Sequence, residues 1–139
     1  MRAVIDTNVH ISALIGAGPP YRIMRDWLAR RRFELVVCPL LVNEIVKVAS
    51  RPHLQSRLRL DIVNAYLRDV AVGATQWPDP DAIAQTTRDR QDDYLVALAR
   101  EARADVIVTG DRDLLEWEEQ SPPAVTPTRF EQMLSDDVR

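Results

Sequence analysis

Three short, almost unbroken apolar runs constrain this chain most: Ala3-Val4-Ile5, Phe33 to Cys38 (apolar apart from Glu34), and Asp105 to Thr109 around Val106-Ile107-Val108. None shows the polar alternation of a strand with one wet face, so each reads as a strand buried on both sides. Between them lie segments of helical period. Val9, Ile11, Leu14 and Ile15 are the apolar positions of a first helix, capped by Thr7 or Asn8 and broken by Gly16 to Pro20. A second, from about Pro20 to Arg32, places Ile23, Trp27 and Leu28 on one stripe. Pro39 opens a third at its favoured first position, running through Leu41, Glu44, Ile45 and Val48 until Arg51-Pro52 stops it. A long helix from Leu54 to Val70 follows, with Leu58, Ile62, Ala65, Tyr66 and Asp69 stepping along it.

Past Gly73 the pattern predicts a short strand near Thr75-Gln76-Trp77, a loop through Asp81, and a short helix from Asp81 to Arg88. Asp92 to Arg103 is an amphipathic helix with Leu95, Val96, Ala99 and Ala102 facing inward. Leu114, Leu115 and Trp117 anchor another short helix, and the tail is a strand end near Val125 with a helix started by Pro127. Strands alternating with helices imply right-handed βαβ units. The expectation is one α/β domain over residues 1–139, with a central, mostly parallel sheet flanked by helices.

Composition narrows the chemistry. No apolar run approaches the roughly 20 residues that cross a bilayer, and Asp6 interrupts the N-terminus before any signal-peptide core can form. The cytoplasm is therefore the expected location, with no membrane partner. Cys38 is the sole cysteine, which excludes an intrachain disulfide and a thiolate zinc site; a buried structural thiol is expected. His10 and His53 are the only histidines, and neither sits at metal-pair spacing. Any metal would be held by oxygen. The net charge of −3 argues against a nucleic-acid partner at face value. Yet Arg22, Arg25, Arg30, Arg31 and Arg32 crowd one segment and Arg51, Arg57 and Arg59 another. These clusters read equally as a phosphate track or as solvated helix faces.

The acids are placed more tellingly. In open α/β sheets function collects beyond the carboxyl ends of the strands. Asp6 closes the first strand, Asp111 and Asp113 follow Gly110 after the strand ending at Thr109, Glu44 rides the helix after the second strand, and Asp92 and Asp93 start the amphipathic helix. Each has a bland reading: Asp92 and Asp93 suit a helix N-terminus, Asp111 and Asp113 a turn or cap, Glu44 a wet helix face. Asp6, ending an apolar strand, is the hardest to explain as surface. Two carboxylates about 5 Å apart repel by roughly 3 kcal/mol at an effective dielectric near 20. A hard cation such as Mg²⁺ or Mn²⁺ relieves that repulsion, and with it come activation of water and stabilisation of a leaving oxygen. Those roles make up phosphodiester hydrolysis.

The stretches around these acids resemble the PIN-domain family, and within it the VapC-like ribonuclease toxins of toxin–antitoxin pairs. Val4-Ile5-Asp6-Thr7-Asn8 resembles the family's opening strand and first acid. Pro39-Leu40-Leu41-Val42-Asn43-Glu44-Ile45, followed by Ser50-Arg51-Pro52, resembles the second-acid helix, and Asp92-Asp93-Tyr94-Leu95-Val96-Ala97-Leu98-Ala99 the third. Ala104 to Leu115, with Thr109-Gly110-Asp111-Arg112-Asp113 at its centre, resembles the last and is the most specific. The resemblance implies a three-layer PIN-like sandwich. It implies that Asp6, Glu44, Asp92 and Asp111 bind Mg²⁺ or Mn²⁺ and catalyse RNA cleavage, with Asp113 auxiliary. Thr7, Asn8 and Thr109 would orient carboxylates and water. An antitoxin protein and a homodimeric state are further implications. From the charge clustering alone, and not from the resemblance, Arg30, Arg31 and Arg32 are the expected contacts to RNA phosphates.

Two other functions compete. A haloacid-dehalogenase-like phosphatase also begins with a strand-ending aspartate, but it wants a second aspartate where this chain has Asn8. A binding module could use the acidic rim to hold a partner or RNA without turnover. A dinucleotide-binding reading fails because no G-x-G-x-x-G follows a strand.

Overall fold

The computed structural model describes residues 1–81 and 90–137, with only the backbone of residues 90–93. Its elements run β1 (Arg2–Ile5), α1 (Thr7–Ile15), α2 (Gly18–Arg30), β2 (Glu34–Val37), α3 (Pro39–Ala49), α4 (Pro52–Gln55), α5 (Leu60–Gly73), β3 (Thr75–Gln76), α6 (Arg90–Glu101), β4 (Val106–Val108), α7 (Arg112–Leu115), β5 (Ala124–Val125) and α8 (Pro127–Asp137). The five strands form one sheet in the order β3-β2-β1-β4-β5. Among the described residues every pairing is parallel, so the sheet there is wholly rather than mostly parallel.

The apolar runs explain the sheet. Val4, Ile5, Leu35, Val36, Val37, Val106, Ile107 and Val108 are all fully buried, as strands covered on both faces must be. Helices flank the sheet, and Phe130 of α8 meets Phe33 edge-on with ring centroids 5.0 Å apart. α8 is also held to α2 by polar ties: Arg22 pairs with Glu131, and Arg32 donates to the Leu134 carbonyl at 2.7 Å.

Several expected boundaries move. Asp6, not Thr7 or Asn8, is the N-cap of α1, and no side chain makes a cap hydrogen bond there. The extended backbone of the strand's end residue makes the cap, so Thr7 is already helical. Gly16, in the left-handed region at φ 108°, ends α1, a conformation that suits glycine. Leu28, expected on the buried stripe, is 38% exposed, because α2 rests on the core through Ile23, Met24 and Trp27. The long helix expected from Leu54 to Val70 is two: α4 is a single turn opened by Pro52, and Arg59 adopts extended backbone to cap α5. With that offset Val63, Tyr66 and Val70 turn inward, and Ile62 is exposed. The helix expected over Asp81 to Arg88 lies outside the described residues.

The strand order fixes where a site can form. From β1 the chain winds outward to β2 and β3, then returns to lay β4 against the other side of β1. Winding reverses between β1 and β4, and at such a switch point the crevice beyond the carboxyl ends of the strands opens.

Candidate active site

Asp6 and Thr109 meet because of register. Ile5 pairs with Val108, and the Asp6 amide continues the ladder by donating to the Val108 carbonyl at 2.9 Å. The next residues on the two strands are therefore neighbours at the switch point. Thr109 Oγ1 donates to Asp6 Oδ2 at 2.8 Å and accepts the Asp111 amide at 3.0 Å. Asp111 in turn caps α7, its Oδ1 accepting the Asp113 amide at 2.8 Å. One buried hydroxyl thus ties the acid after β1 to the acid after β4.

Asp6 is only 6% exposed. Burial raises its pKa; the Thr109 hydrogen bond works against this, and the charges of Glu44 and Asp111 raise it further. Those last two effects show that three of the expected acids share one electrostatic neighbourhood. Glu44, half-buried on α3, accepts a hydrogen bond at Oε2 from the Tyr94 hydroxyl of α6. Asp113 is half-buried beside Asp111. Of the third motif, the backbone places Asp92 and Asp93 in the first turn of α6, while their side chains lie outside the described residues.

The auxiliary residues divide. Thr109 is fully buried and bonded as above. Thr7 is 2% exposed, and its Oγ1 makes no hydrogen bond among the described residues, although the side chain lies near enough to the Tyr94 phenol to act on it. Asn8 is exposed and makes no side-chain hydrogen bond there. Tyr94 was not singled out by sequence. Its position on an otherwise aliphatic buried stripe reads as packing, and the signal for more was its polar tip, because a buried tyrosine hydroxyl usually finds a partner.

Among the described residues no three His, Cys, Asp or Glu side chains form a ready metal cage. In kind, however, the donors suit a hard divalent cation. They are anionic oxygens, and Thr7 adds a buried hydroxyl with no hydrogen-bond partner among the described residues. Cys38, also at the end of a strand, does not alter this: burial pushes its thiol up to about 11, so it stays protonated at neutral pH. His10 is fully buried, with Nδ1 on the Tyr66 hydroxyl.

The expected phosphate-contacting arginines sit elsewhere. Arg31 and Arg32 line a cavity of about 650 Å³ with Arg2, Glu34 and Asp105, which lie at the amino ends of β1, β2 and β4. That is the rim opposite the acids. Arg32 pairs with Asp26 at 3.0 Å, Arg31 lies over the Trp27 ring at 4.1 Å, and Arg30 is mostly exposed.

Comparison with known proteins agrees with this fold. The profile of the PIN domain family matches residues 2–113. An uncharacterized protein of Methanocaldococcus jannaschii is 31% identical over 127 residues, covering 87% of this chain and 77% of its own. Among solved structures, PAE2754 from Pyrobaculum aerophilum superposes with a TM-score of 0.65 at 16% identity, covering 98% of this chain and 90% of that one. The PIN domain of human SMG5 does so with a TM-score of 0.52 at 10% identity, covering 96% and 98%. The chain belongs to the PIN domain family.

Proposed function

We propose that this chain is a metal-dependent endoribonuclease, acting as the toxin of a toxin–antitoxin pair in the cytoplasm, with residues 1–139 as one nuclease domain. PIN domains are generally nucleases, PIN nucleases bind RNA, and they typically use divalent metals. The observation that carries the reading here is Asp6: a carboxyl buried at the switch point and tied through Thr109 to Asp111, its pKa raised by burial first and then by the charges of Glu44 and Asp111. Burying like charges together is costly unless a cation compensates them.

Asp6, Glu44, Asp92 and Asp111 would hold Mg²⁺ or Mn²⁺, with Asp113 auxiliary and Thr7, Asn8 and Thr109 as orienting groups. A bound cation of this kind supplies an activated water and charge stabilisation at the leaving oxygen. The protein's own part is positional. Thr109 holds Asp6 and the Asp111 loop in fixed relation, and Tyr94 holds Glu44. The acidic rim also suits inhibition by an antitoxin that inserts arginine, which pairs with carboxylates in a bidentate fork. A homodimer is part of the same proposal.

The test is cleavage of single-stranded RNA with Mg²⁺ or Mn²⁺, with and without chelator. Asp6→Asn and Glu44→Gln should each reduce cleavage at least about 100-fold, as expected when a hard-cation ligand loses its charge. Chelator-resistant cleavage, or full activity in Asp6→Asn, would overturn the assignment.

A further inference from the structure

We propose that Tyr94 is a positioning residue for Glu44, holding one carboxylate oxygen so that the other is presented to a divalent cation. The inference rests on the nuclease reading above and adds to it a side chain outside the set of acids and small polar groups.

Glu44 stands half-buried on α3 at the end of a flexible side chain, and an untethered carboxylate there would sample several rotamers. Its bond from Tyr94 removes that freedom. The tyrosine is itself anchored by packing: it is 9% exposed, on a helix that packs against β1 and β4 and whose Leu95, Val96, Leu98 and Ala99 are almost wholly buried. The phenol engages Glu44 at Oε2, and among the described residues Oε1 takes no hydrogen bond. The hydroxyl donates to Oε2 and leaves the lone pairs of Oε1 for a cation, so the two interactions use different oxygens and do not compete. Tyr94 also lies close to Thr7, one residue from Asp6, and so spans the gap between the α1 end of the site and the α3 end. Partners that orient a ligating carboxylate typically change metal affinity 10–100-fold when removed.

A satisfied core tyrosine would look similar in one respect, since a buried phenol needs an acceptor. The two roles separate in a double-mutant cycle read by Mn²⁺ binding calorimetry, with kcat and KM for RNA measured in parallel. Tyr94→Phe, which removes only the hydroxyl, should weaken Mn²⁺ binding about 10-fold and lower kcat at limiting Mn²⁺, with KM for RNA unchanged. Glu44→Gln should weaken Mn²⁺ binding further. Adding Tyr94→Phe to Glu44→Gln should change nothing more, because the residue acts through Glu44. Unchanged Mn²⁺ affinity in Tyr94→Phe, with Glu44→Gln still defective, overturns the positioning role and leaves the nuclease site standing. Unchanged affinity in Glu44→Gln overturns both. A melting temperature of Tyr94→Phe in chelator within a few degrees of wild type establishes that the variant is folded.

Discussion

Thr109 shows how much one hydroxyl can hold. Replacing it with valine keeps the shape and removes both bonds, leaving Asp6 without its side-chain donor and the Asp111 amide without its acceptor. The expected cost is about 1–3 kcal/mol, read as a lower urea midpoint with unchanged slope, together with loss of cleavage. His10 makes a pH prediction. Burial lowers its pKa from 6.5 to about 4, so the folded state resists protonation that the unfolded chain accepts. Its stabilising effect is therefore complete above pH 6.5 and is lost as pH falls from there towards 4. Between pH 7 and pH 5 this group alone should remove about 2 kcal/mol of stability. His10→Asn, whose amide can either accept from or donate to the Tyr66 hydroxyl and does not titrate, should lose markedly less over the same interval in urea titrations. Asp6 works in the opposite sense, since its raised pKa relieves the folded state as acid is added, and the comparison of the two proteins cancels it. At this scale the acids were legible because a carboxylate ending an apolar strand has few structural excuses. Tyr94 was not, because the same ring that fills a core also carries the hydroxyl.

Among the elements, apolar runs too continuous for a half-wet strand gave away the sheet, and Pro39 gave away the start of α3. The division of the expected 54–70 helix was hidden, since Ser56-Arg57-Leu58-Arg59 contains neither glycine nor proline and the apolar period runs through it. The tie of the arginine segment to α8 was equally beyond the sequence, because its partners lie more than 90 residues away. α2 and α8 share Arg22 with Glu131 and Arg32 with the Leu134 carbonyl. Arg32→Ala should therefore destabilise by about 1–2 kcal/mol. Arg30→Ala, whose side chain is 71% exposed and reaches Asp26 at only 4.0 Å, should change stability by less than about 0.5 kcal/mol. Equal effects in thermal melts would mean that the segment's arginines are not divided between structure and solvent.

For the molecule as a whole, the strand order decides more than any motif. Reversal of winding beside β1 places the first acid and the last next to one another although more than 100 residues separate them. If these carboxylates await a cation, the protein should be stabilised by it: at a concentration 100 times the dissociation constant, by about 2.7 kcal/mol. Asp6→Asn should gain much less from Mg²⁺, and in chelator should melt above wild type because one buried repulsion is gone. Equal melting of the two proteins with and without Mg²⁺ would refute the idea that the acids are held in mutual repulsion.

Cys38, the sole thiol, is completely enclosed at the carboxyl end of β2. A thiol reagent in solution therefore finds nothing to attack until the molecule opens, and each labelling event counts one opening. The chain carries its own clock. When closing outpaces labelling, the rate reports the free energy of the opening that exposes β2, without a chromophore or an introduced tag. Agreement between that energy and the urea value would make the sheet and the remaining structure a single cooperative unit.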